Sequence, residues 1–299
     1  MPDPTMPDPM TLGLAAAVTT CVTWGTADYL AAHVTRRIGE ARTLLALQAV
    51  GVPVLVVAWL VVRPPLPDPA SLAWITLASA SFAVGYLAFF HGLRVGAISI
   101  VSPISSAGAL IPVTAGIMLF GEHPSMPRLA GVALTLAGLA LLLTDFGAVR
   151  TLGAADRRRG ALAGVVTLLA WGSGTALLLP AIKSAGGFSP IALVRAEILL
   201  VLLVWFAWRG AARLPSDSGL GDRSLWGCVV PAALLDLTAF FAYGFALYAA
   251  PATVVAPIAS AYPLVTIAIA RRRLHETLSR REWSGVALTL AGATALGVG

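Results

Sequence analysis

The chain has 299 residues, of which 58% are hydrophobic and 11% charged, and its mean hydropathy is +0.86. A soluble domain carries about 25% charged residues, so this composition excludes a water-soluble fold and makes the bilayer the solvent for most of the surface. The net charge of +6 comes largely from short arginine runs beside apolar segments, which indicates contact with anionic lipid rather than nucleic acid. The possible functions are therefore transport, conduction, reception or intramembrane catalysis.

A proline-rich leader at residues 1–10, expected to be disordered, precedes ten apolar runs. Each run has about 18 to 24 residues, which is enough to cross ~30 Å of hydrocarbon as a helix. No water is available there to satisfy the backbone, so the runs predict an all-α integral membrane protein with ten transmembrane helices. The predicted spans are 11–32, 42–62, 71–92, 97–120, 127–145, 160–181, 190–208, 225–247, 252–270 and 282–298.

An exact repeat indicates an internal duplication. The octapeptide Gly131–Gly138 returns as Gly285–Gly292, and at the same separation Pro103 falls on Pro257. The chain therefore divides into a five-helix repeat at 11–145, a linker at 146–159 and a second five-helix repeat at 160–299.

Because five is an odd number, the second repeat must enter the membrane upside down relative to the first. Equivalent connections agree with this inversion: Gly121 to Pro127 contains no Lys or Arg, whereas Arg271 to Arg281 contains five arginines. Inverted repeats are typical of transporters.

Charge also predicts the orientation. The odd-numbered connections carry 16 Lys and Arg residues and the even-numbered ones carry 3. By the positive-inside rule the odd-numbered connections are cytoplasmic, which places both termini outside the cell membrane.

Span four contains Pro103 and Pro112, and span nine contains Pro257 and Pro263. Interrupted helices at corresponding positions of two repeats are the best sequence indication of a transporter's central site. Nearby hydroxyl groups either face a polar cavity or satisfy carbonyls that the prolines leave free. These hydroxyl residues are Ser105, Ser106, Ser260 and Tyr262.

Each repeat opens with a Trp-Gly pair near the middle of its first span, Trp24-Gly25 and Trp171-Gly172. Tryptophan in membrane helices usually lies at the interface. One interpretation makes the two tryptophans walls of a central cavity. In the other, each glycine allows close helix contact and each tryptophan fills the core.

Ionisable residues within the spans are few and costly, on the order of 3 kcal/mol each. Asp236 lies at the centre of span eight with Tyr243 on the same helix face, and Asp28 follows Trp24 by one turn. Asp236 either binds a cationic group or a proton, or forms a structural pair with Arg195. Arg195 and Glu197 point to different faces and are not expected to pair with each other. The repeat places Gln48 opposite Arg195.

Sequence patterns for other chemistry are absent. The sequence has no phosphate-binding loop, no His-Glu-x-x-His and no Gly-x-Ser-x-Gly motif. We therefore expect no enzyme activity, no cofactor and no bound metal.

Several of these features together resemble the drug/metabolite transporter superfamily, specifically its EamA-like members. The resemblance is carried by the two Trp-Gly pairs, by Gly121-Glu122-His123-Pro124-Ser125 and by His275-Glu276-Thr277-Leu278-Ser279. Pro263 also lies where that family commonly has a proline, whereas the first repeat has Ala109 there. The resemblance implies carriers of small metabolites, amino acids or drugs, either proton-coupled or facilitated. Its usual orientation, with both termini cytoplasmic, disagrees with the charge count.

We therefore predict a secondary carrier of a small molecule that works by alternating access, as a monomer or homodimer, with protons as a candidate coupling ion. Spans one, three, four, six, eight and nine should line its cavity, and Glu122 and Glu276 should cap the helices that follow them. Import and export both remain open. The alternative is a non-transporting membrane sensor or assembly partner, with a packed centre and Asp236 paired.

Overall fold

The computed structural model describes residues 8–95, 98–142, 153–209, 222–274 and 280–298, and within these ranges every regular element is helical. A single 3₁₀ turn, Ala107–Ala109, separates α4 from α5. The α-helices are α1 (Pro9–Ile38), α2 (Glu40–Val62), α3 (Pro69–Val95), α4 (Ile98–Ser106), α5 (Leu110–Phe120), α6 (Met126–Leu142), α7 (Ala154–Ala185), α8 (Phe188–Arg209), α9 (Arg223–Ala249), α10 (Ala252–Ala259), α11 (Tyr262–Leu274) and α12 (Arg280–Val298).

Six of these helices, and a seventh stretch that runs from α10 into α11, have the length and composition of membrane spans. In the part of the chain that the structure describes, seven helical stretches are long and apolar enough to cross a bilayer, and Ile104–Phe120 and Trp283–Leu296 are shorter apolar helices. Large apolar side chains point outward, among them Val61 with 77% and Met118 with 76% of their surface exposed. An apolar exterior of this kind is stable in lipid and not in water. The chain is an all-α multi-pass membrane protein.

The first helix of each half is longer than its predicted span. Helix α1 begins at Pro9, so the last two residues of the expected leader are helical, and α7 begins at Ala154, inside the expected linker. Polar residues can extend a helix beyond the apolar run because water or neighbouring charges satisfy them there. Asp156 lies in the first turn of α7, where its negative charge interacts favourably with the positive end of the helix dipole. It also lies 3.4 Å from Arg159.

Both long helices end at a glycine in the left-handed region of φ. Gly39 has φ 81° after α1, and Gly186 has φ 80° after α7. Only glycine adopts this conformation at low cost. Helix α2 begins directly after Gly39, and α8 begins two residues after Gly186. Each glycine therefore allows a short turn between successive helices.

Predicted spans four and nine are each broken once. Span four consists of α4, the 3₁₀ turn and α5, and span nine consists of α10 and α11. Pro112 and Pro263, near the starts of α5 and α11, have no N–H for the carbonyls of Gly108 and Ala259. Pro103 and Pro257 instead lie inside α4 and α10 without ending them. The first half therefore breaks at the same level as the second, although Ala109 stands in place of Pro263.

Contacts between helices come in pairs that are related by exchanging the two halves. Helix α1 packs along α9 as α7 packs along α3, and α1 contacts α11 as α7 contacts α5. Helix α2 packs against α9 as α8 packs against α3, and α10 meets α5 as α4 meets α11. The repeat in the sequence is thus also a repeat of packing.

The two octapeptides lie in α6 and α12 and pack against each other. A Cβ atom added at Gly138 would lie 2.5 Å from Thr289 Oγ1, and one added at Gly292 would lie 2.5 Å from Thr135 Oγ1. The threonine hydroxyls donate to their own helices, to the carbonyl oxygens of Gly131 and Gly285. Residues spaced by four and seven share one helix face, which explains why the octapeptide forms a single contact surface.

Candidate functional site

A cavity lies at the level of the two helix breaks. It encloses about 70 Å³ of space that the centre of a water molecule can occupy. The lining residues come from α1, α3, α7 and α9 and from both broken helices, which correspond to the six predicted spans named above. Its walls are mainly aromatic, with the rings of Trp24, Phe82, Tyr86, Trp171, Phe240, Tyr243 and Tyr262.

The cavity brings together most of the residues that the sequence analysis names. Those that line it are Trp24, Asp28, Ser105, Ser106, Pro112, Trp171, Asp236, Tyr243, Ser260 and Tyr262. Those that do not line it are Arg195, Gln48, Pro257 and Pro263, and the side chain of Pro103 lies outside the described part of the structure. Arg195 and Gln48 are fully buried outside the cavity wall.

Both interpretations of the Trp-Gly pairs apply, one to each residue of the pair. The tryptophans line the cavity: the Trp24 ring lies 5.1 Å from the ring of Tyr243, and Trp171 lies 5.4 Å from Tyr86. The glycines allow close helix contact. A Cβ atom at Gly25 would lie 2.5 Å from the carbonyl oxygen of Tyr262, and one at Gly172 would lie 2.7 Å from that of Gly108. In each pair the glycine therefore lets its helix pack closely against the broken helix of the other half.

Hydroxyl groups near the breaks donate to nearby backbone carbonyls, although these are not the carbonyls of Gly108 and Ala259 that Pro112 and Pro263 leave without an N–H. Ser105 and Ser260 donate to the carbonyl oxygens of Ser102 and Pro257, at 2.9 and 2.8 Å, within their own segments. The Ser105 and Tyr262 hydroxyls are also hydrogen-bonded to each other at 2.8 Å. This bond joins the two broken helices at the cavity wall.

Asp236 is engaged in a buried ion pair. Its carboxylate accepts hydrogen bonds from the Arg195 guanidinium and, at 2.9 Å, from the hydroxyl of Tyr86. Arg195 in turn donates to the Tyr86 oxygen at 2.9 Å and lies 5.0 Å from the centre of the Phe240 ring. Asp236, Arg195 and Tyr86 are each at most 5% exposed as whole residues. The structure thus shows the pair that the sequence analysis gave as the structural alternative for Asp236.

The other polar residues of α2 and α8 lie apart from this pair. Glu197 accepts a hydrogen bond from Thr76 at 3.2 Å and, as expected, does not pair with Arg195. The amide of Gln48 is buried with no hydrogen-bond partner among the described residues. Gln48 and Arg195 are both fully buried, but only Arg195 is connected to the cavity, through Asp236 and Tyr86.

Asp28 differs from Asp236 because it has no partner. It is 9% exposed and lines the cavity, and no hydrogen bond or ion pair joins it to any other residue that the structure describes. It lies close enough to Asp236 and Tyr262 for their charges to interact. Asp28 is the unpaired carboxylate of this cavity.

Sequence reasoning missed several wall residues, chiefly Phe82, Tyr86, Thr175 and Phe240. Tyr86 is the most important of them because it bonds to both members of the ion pair. A four-residue spacing in the sequence could have identified them. Phe82 and Tyr86 in α3, like Asp236 and Phe240 in α9, are four residues apart and so share one helix face.

Glu122 caps a helix, but not the one that was expected. Its two carboxylate oxygens accept from the backbone N–H groups of Ala252 and Thr253, at 2.8 and 2.9 Å. It therefore caps α10, in the other half, whereas α6 begins with Ser125 accepting from the N–H of Arg128 at 3.4 Å. The correction follows from packing, since α5 and α10 are in contact and bring the end of one to the start of the other. Glu276 lies outside the described residues.

Replacing Glu122 by glutamine should lower the free energy of unfolding by about 1 kcal/mol, because the amide offers one acceptor and no charge to the N-terminus of α10. Glu197→Gln, a carboxylate with a single 3.2 Å bond to Thr76, is the matched control and should have a smaller effect. Unfolding midpoints in detergent measure both. Equal midpoints for the two variants would contradict the capping role.

Comparison with known proteins agrees with this architecture. The sequence pattern of the EamA-like transporter family matches residues 11–144 and 158–298. The chain belongs to the EamA-like transporter family. This confirms the resemblance drawn from the Trp-Gly pairs and the glutamate motifs, and it makes the chain a membrane protein of transporter type.

Two individual proteins are also similar to this member of the family. An uncharacterised protein of Methanocaldococcus jannaschii is 30% identical over 77 residues, which are 26% of this chain and 56% of that protein. A protein of known crystal structure matches 95% of this chain and 96% of its own, with a TM-score of 0.75 and 18% identity. The second likeness concerns the fold alone.

Proposed function

We propose that this EamA-like protein is a secondary transporter that moves a small metabolite or drug across the cell membrane by alternating access. In this proposal ten transmembrane helices form two inverted five-helix repeats, at 11–145 and 160–299, joined by the linker 146–159. The observation that carries it is the cavity, which lies where the broken helix of each half meets the first helix of the other. Broken helices at a repeat interface are where carriers bind their substrates.

The geometry suits exchange between two conformations. Each of these helix contacts has a counterpart that is related by exchanging the two halves. A second conformation can therefore form, in which each half adopts the packing of the other. The Ser105–Tyr262 bond and the Glu122 cap on α10 both connect the halves and would have to adjust during that exchange. The proton is the coupling ion that we propose, because an unpaired carboxylate at the cavity wall can take one up.

Contacts at the helix ends support the proposed orientation. At one end, Arg37 lies 3.4 Å from Asp222, and Arg94 lies 3.0 Å from Glu40, so connections one, three and seven meet there. Hydrogen bonds from Ser224, together with the charge of Arg37, hold the pKa of the Asp222 carboxyl below its usual value. The other end gathers Glu122 and Lys183 near residues 250–253. We assign the arginine-rich end to the cytoplasm.

Fusions at Gly299 test this orientation. We expect an alkaline phosphatase fusion to be active and a fluorescent-protein fusion to be dark, because the positive-inside rule places the C-terminus outside. The same two reporters fused within the arginine-rich linker at Arg150 should give the opposite result. A fluorescent fusion at Gly299 with inactive phosphatase would overturn the assignment.

Transport itself is tested by filling the cavity. A thermal-shift screen of amino acids, sugars, nucleosides and cationic drugs on purified protein would identify a ligand, whose counterflow is then measured in proteoliposomes. Ala109→Phe adds a ring to the cavity wall and should abolish both ligand binding and counterflow. Ala130→Phe, on the exposed face of α6, is the matched control and should retain both.

A non-transporting sensor is the second candidate, and the buried Arg195–Asp236 pair favours it because that pair leaves Asp236 neutralised. The same screen separates the two functions. A ligand that binds and is blocked by Ala109→Phe, but shows no counterflow in the wild-type protein, would identify a sensor. The cavity, in place of a fully packed centre, is the reason that we prefer a transporter.

A further inference from the structure

We propose that the cavity selects organic monocations with an aromatic body, and that the Asp28 carboxylate binds their cationic group. This inference rests on the proposed transport function and names its substrate class. It assigns the binding role to Asp28 and not to Asp236, although Asp236 lies nearer the centre of its predicted span.

One carboxyl group at the cavity wall has no cationic partner among the described residues. Among the described residues, two carboxylates line it, Asp28 and Asp236. Arg195 neutralises Asp236, whereas Asp28 has no partner and is 9% exposed. An ionised carboxylate without a partner is costly within a membrane. A single positive charge on the ligand removes that cost.

The surroundings of Asp28 suit a cation attached to an aromatic group. Trp24 precedes it by one helical turn and lies on the same helix face. The centre of the Trp24 ring is 5.1, 5.4 and 6.3 Å from the ring centres of Tyr243, Phe240 and Tyr262. Ring faces attract cations, and the same rings provide apolar contact for a ligand body.

Anions and zwitterions have no matching group in this cavity. The only guanidinium near it, among the residues that the structure describes, is that of Arg195, which already donates to Asp236 and Tyr86. The remaining Nε atom of Arg195 is buried without a hydrogen-bond partner among the described residues. A ligand carboxylate would also be repelled by Asp28, so a negative group lowers affinity.

A proton competes with the cation for Asp28. When the site is empty, protonation of Asp28 removes the same uncompensated charge. The titratable or charged groups that face it are Asp236 and Tyr243 on α9, Tyr262 on α11 and Tyr86 on α3, with Arg195 behind Asp236; α2 and α10 supply none among the described residues. Cation affinity should therefore weaken as the pH falls, and affinity for a neutral ligand should not.

Four indoles of one shape and different charge test the proposal on the full-length protein in detergent. They are tryptamine, a cation; tryptophol, which is neutral; tryptophan, a zwitterion; and indole-3-propionate, an anion. Dissociation constants are measured by isothermal titration calorimetry between about pH 5 and 8, where an aliphatic amine remains protonated. Each is repeated with Asp28→Asn and with Glu197→Gln, a carboxylate-to-amide control outside the cavity.

The expected result is that tryptamine binds about ten-fold or more tightly than tryptophol, as a charged hydrogen bond and ring contacts imply. Asp28→Asn should abolish this difference and the pH dependence while tryptophol still binds, and Glu197→Gln should keep both. Retention of tryptophol binding also shows that the Asp28 variant is folded.

Three outcomes would overturn the proposal: tryptophol or an acid binding as tightly as tryptamine, unchanged tryptamine affinity in Asp28→Asn, or no tryptamine binding at all. None of these would affect the transport proposal if Ala109→Phe still blocks counterflow of another ligand. Conversely, selective tryptamine binding without counterflow would uphold the site and reject transport.

Discussion

Replacing Arg195 by methionine is expected to lower the free energy of unfolding by about 3 to 5 kcal/mol. The substitution keeps an unbranched apolar stem but leaves the Asp236 carboxylate buried without its cation, and removing one member of a buried pair carries a cost of this size. Asp236 is 5% exposed, so water does not replace the lost partner. Unfolding of the purified protein in mixed micelles measures the effect.

The double variant Arg195→Met with Asp236→Leu shows whether the pair is scaffold. Replacing both members by apolar groups removes the uncompensated charge, so we expect most of the lost free energy to return. If the double variant folds and still binds tryptamine, the pair is structural and Asp28 alone recognises the cation. A double variant as unstable as Arg195→Met would contradict this account.

Leucine at Gly138 or Gly292 should have the second large effect. A Cβ atom at either position already lies 2.5 Å from a threonine hydroxyl oxygen of the facing helix, so the helices must separate to admit a larger side chain. Overpacking of this kind costs about 1 to 3 kcal/mol, and here it affects the whole contact between α6 and α12. We expect a lower unfolding midpoint and lower yield of folded protein.

The matched control for this contact is Gly227→Leu in α9. A Cβ atom at Gly227 meets nothing within 4 Å, so leucine there should leave the midpoint unchanged apart from its better helix propensity. Equal loss at Gly138 and Gly227 would show that the α6–α12 contact is not closely packed in solution.

Much of the fold follows from local rules that need no tertiary information. Apolar runs of membrane length, a literal repeat and paired prolines predicted helices, two halves and two interrupted helices, because each depends on the bilayer or on a missing N–H. The ends of α1 and α7 were harder to predict. Polar residues at those ends are compatible with either a loop or a helix that extends into water.

The residues that line the cavity were partly predictable, whereas their pairings could be given only as alternatives. Trp24, Asp28 and Asp236 are conspicuous because polar or indole groups are rare in the middle of apolar spans. Which of the two carboxylates meets Arg195 depends on the rotation of α8 and α9, and periodicity does not determine that rotation. For the same reason the sequence did not indicate Tyr86, and the Glu122 cap was predicted for the adjacent helix. Glu122 instead caps α10, which is distant in the sequence.

The packing of α6 on α12 also bears on how such a chain can arise. Each octapeptide presents glycine to the threonine of the other, so the contact is isologous, with one surface meeting its own copy. A half-length ancestor with a single octapeptide would already have carried a complete self-complementary interface and could pair with an identical subunit before any gene fusion. Fusion then converts a concentration-dependent association into an intramolecular one and frees the two copies of every other residue, Asp28 among them, to diverge.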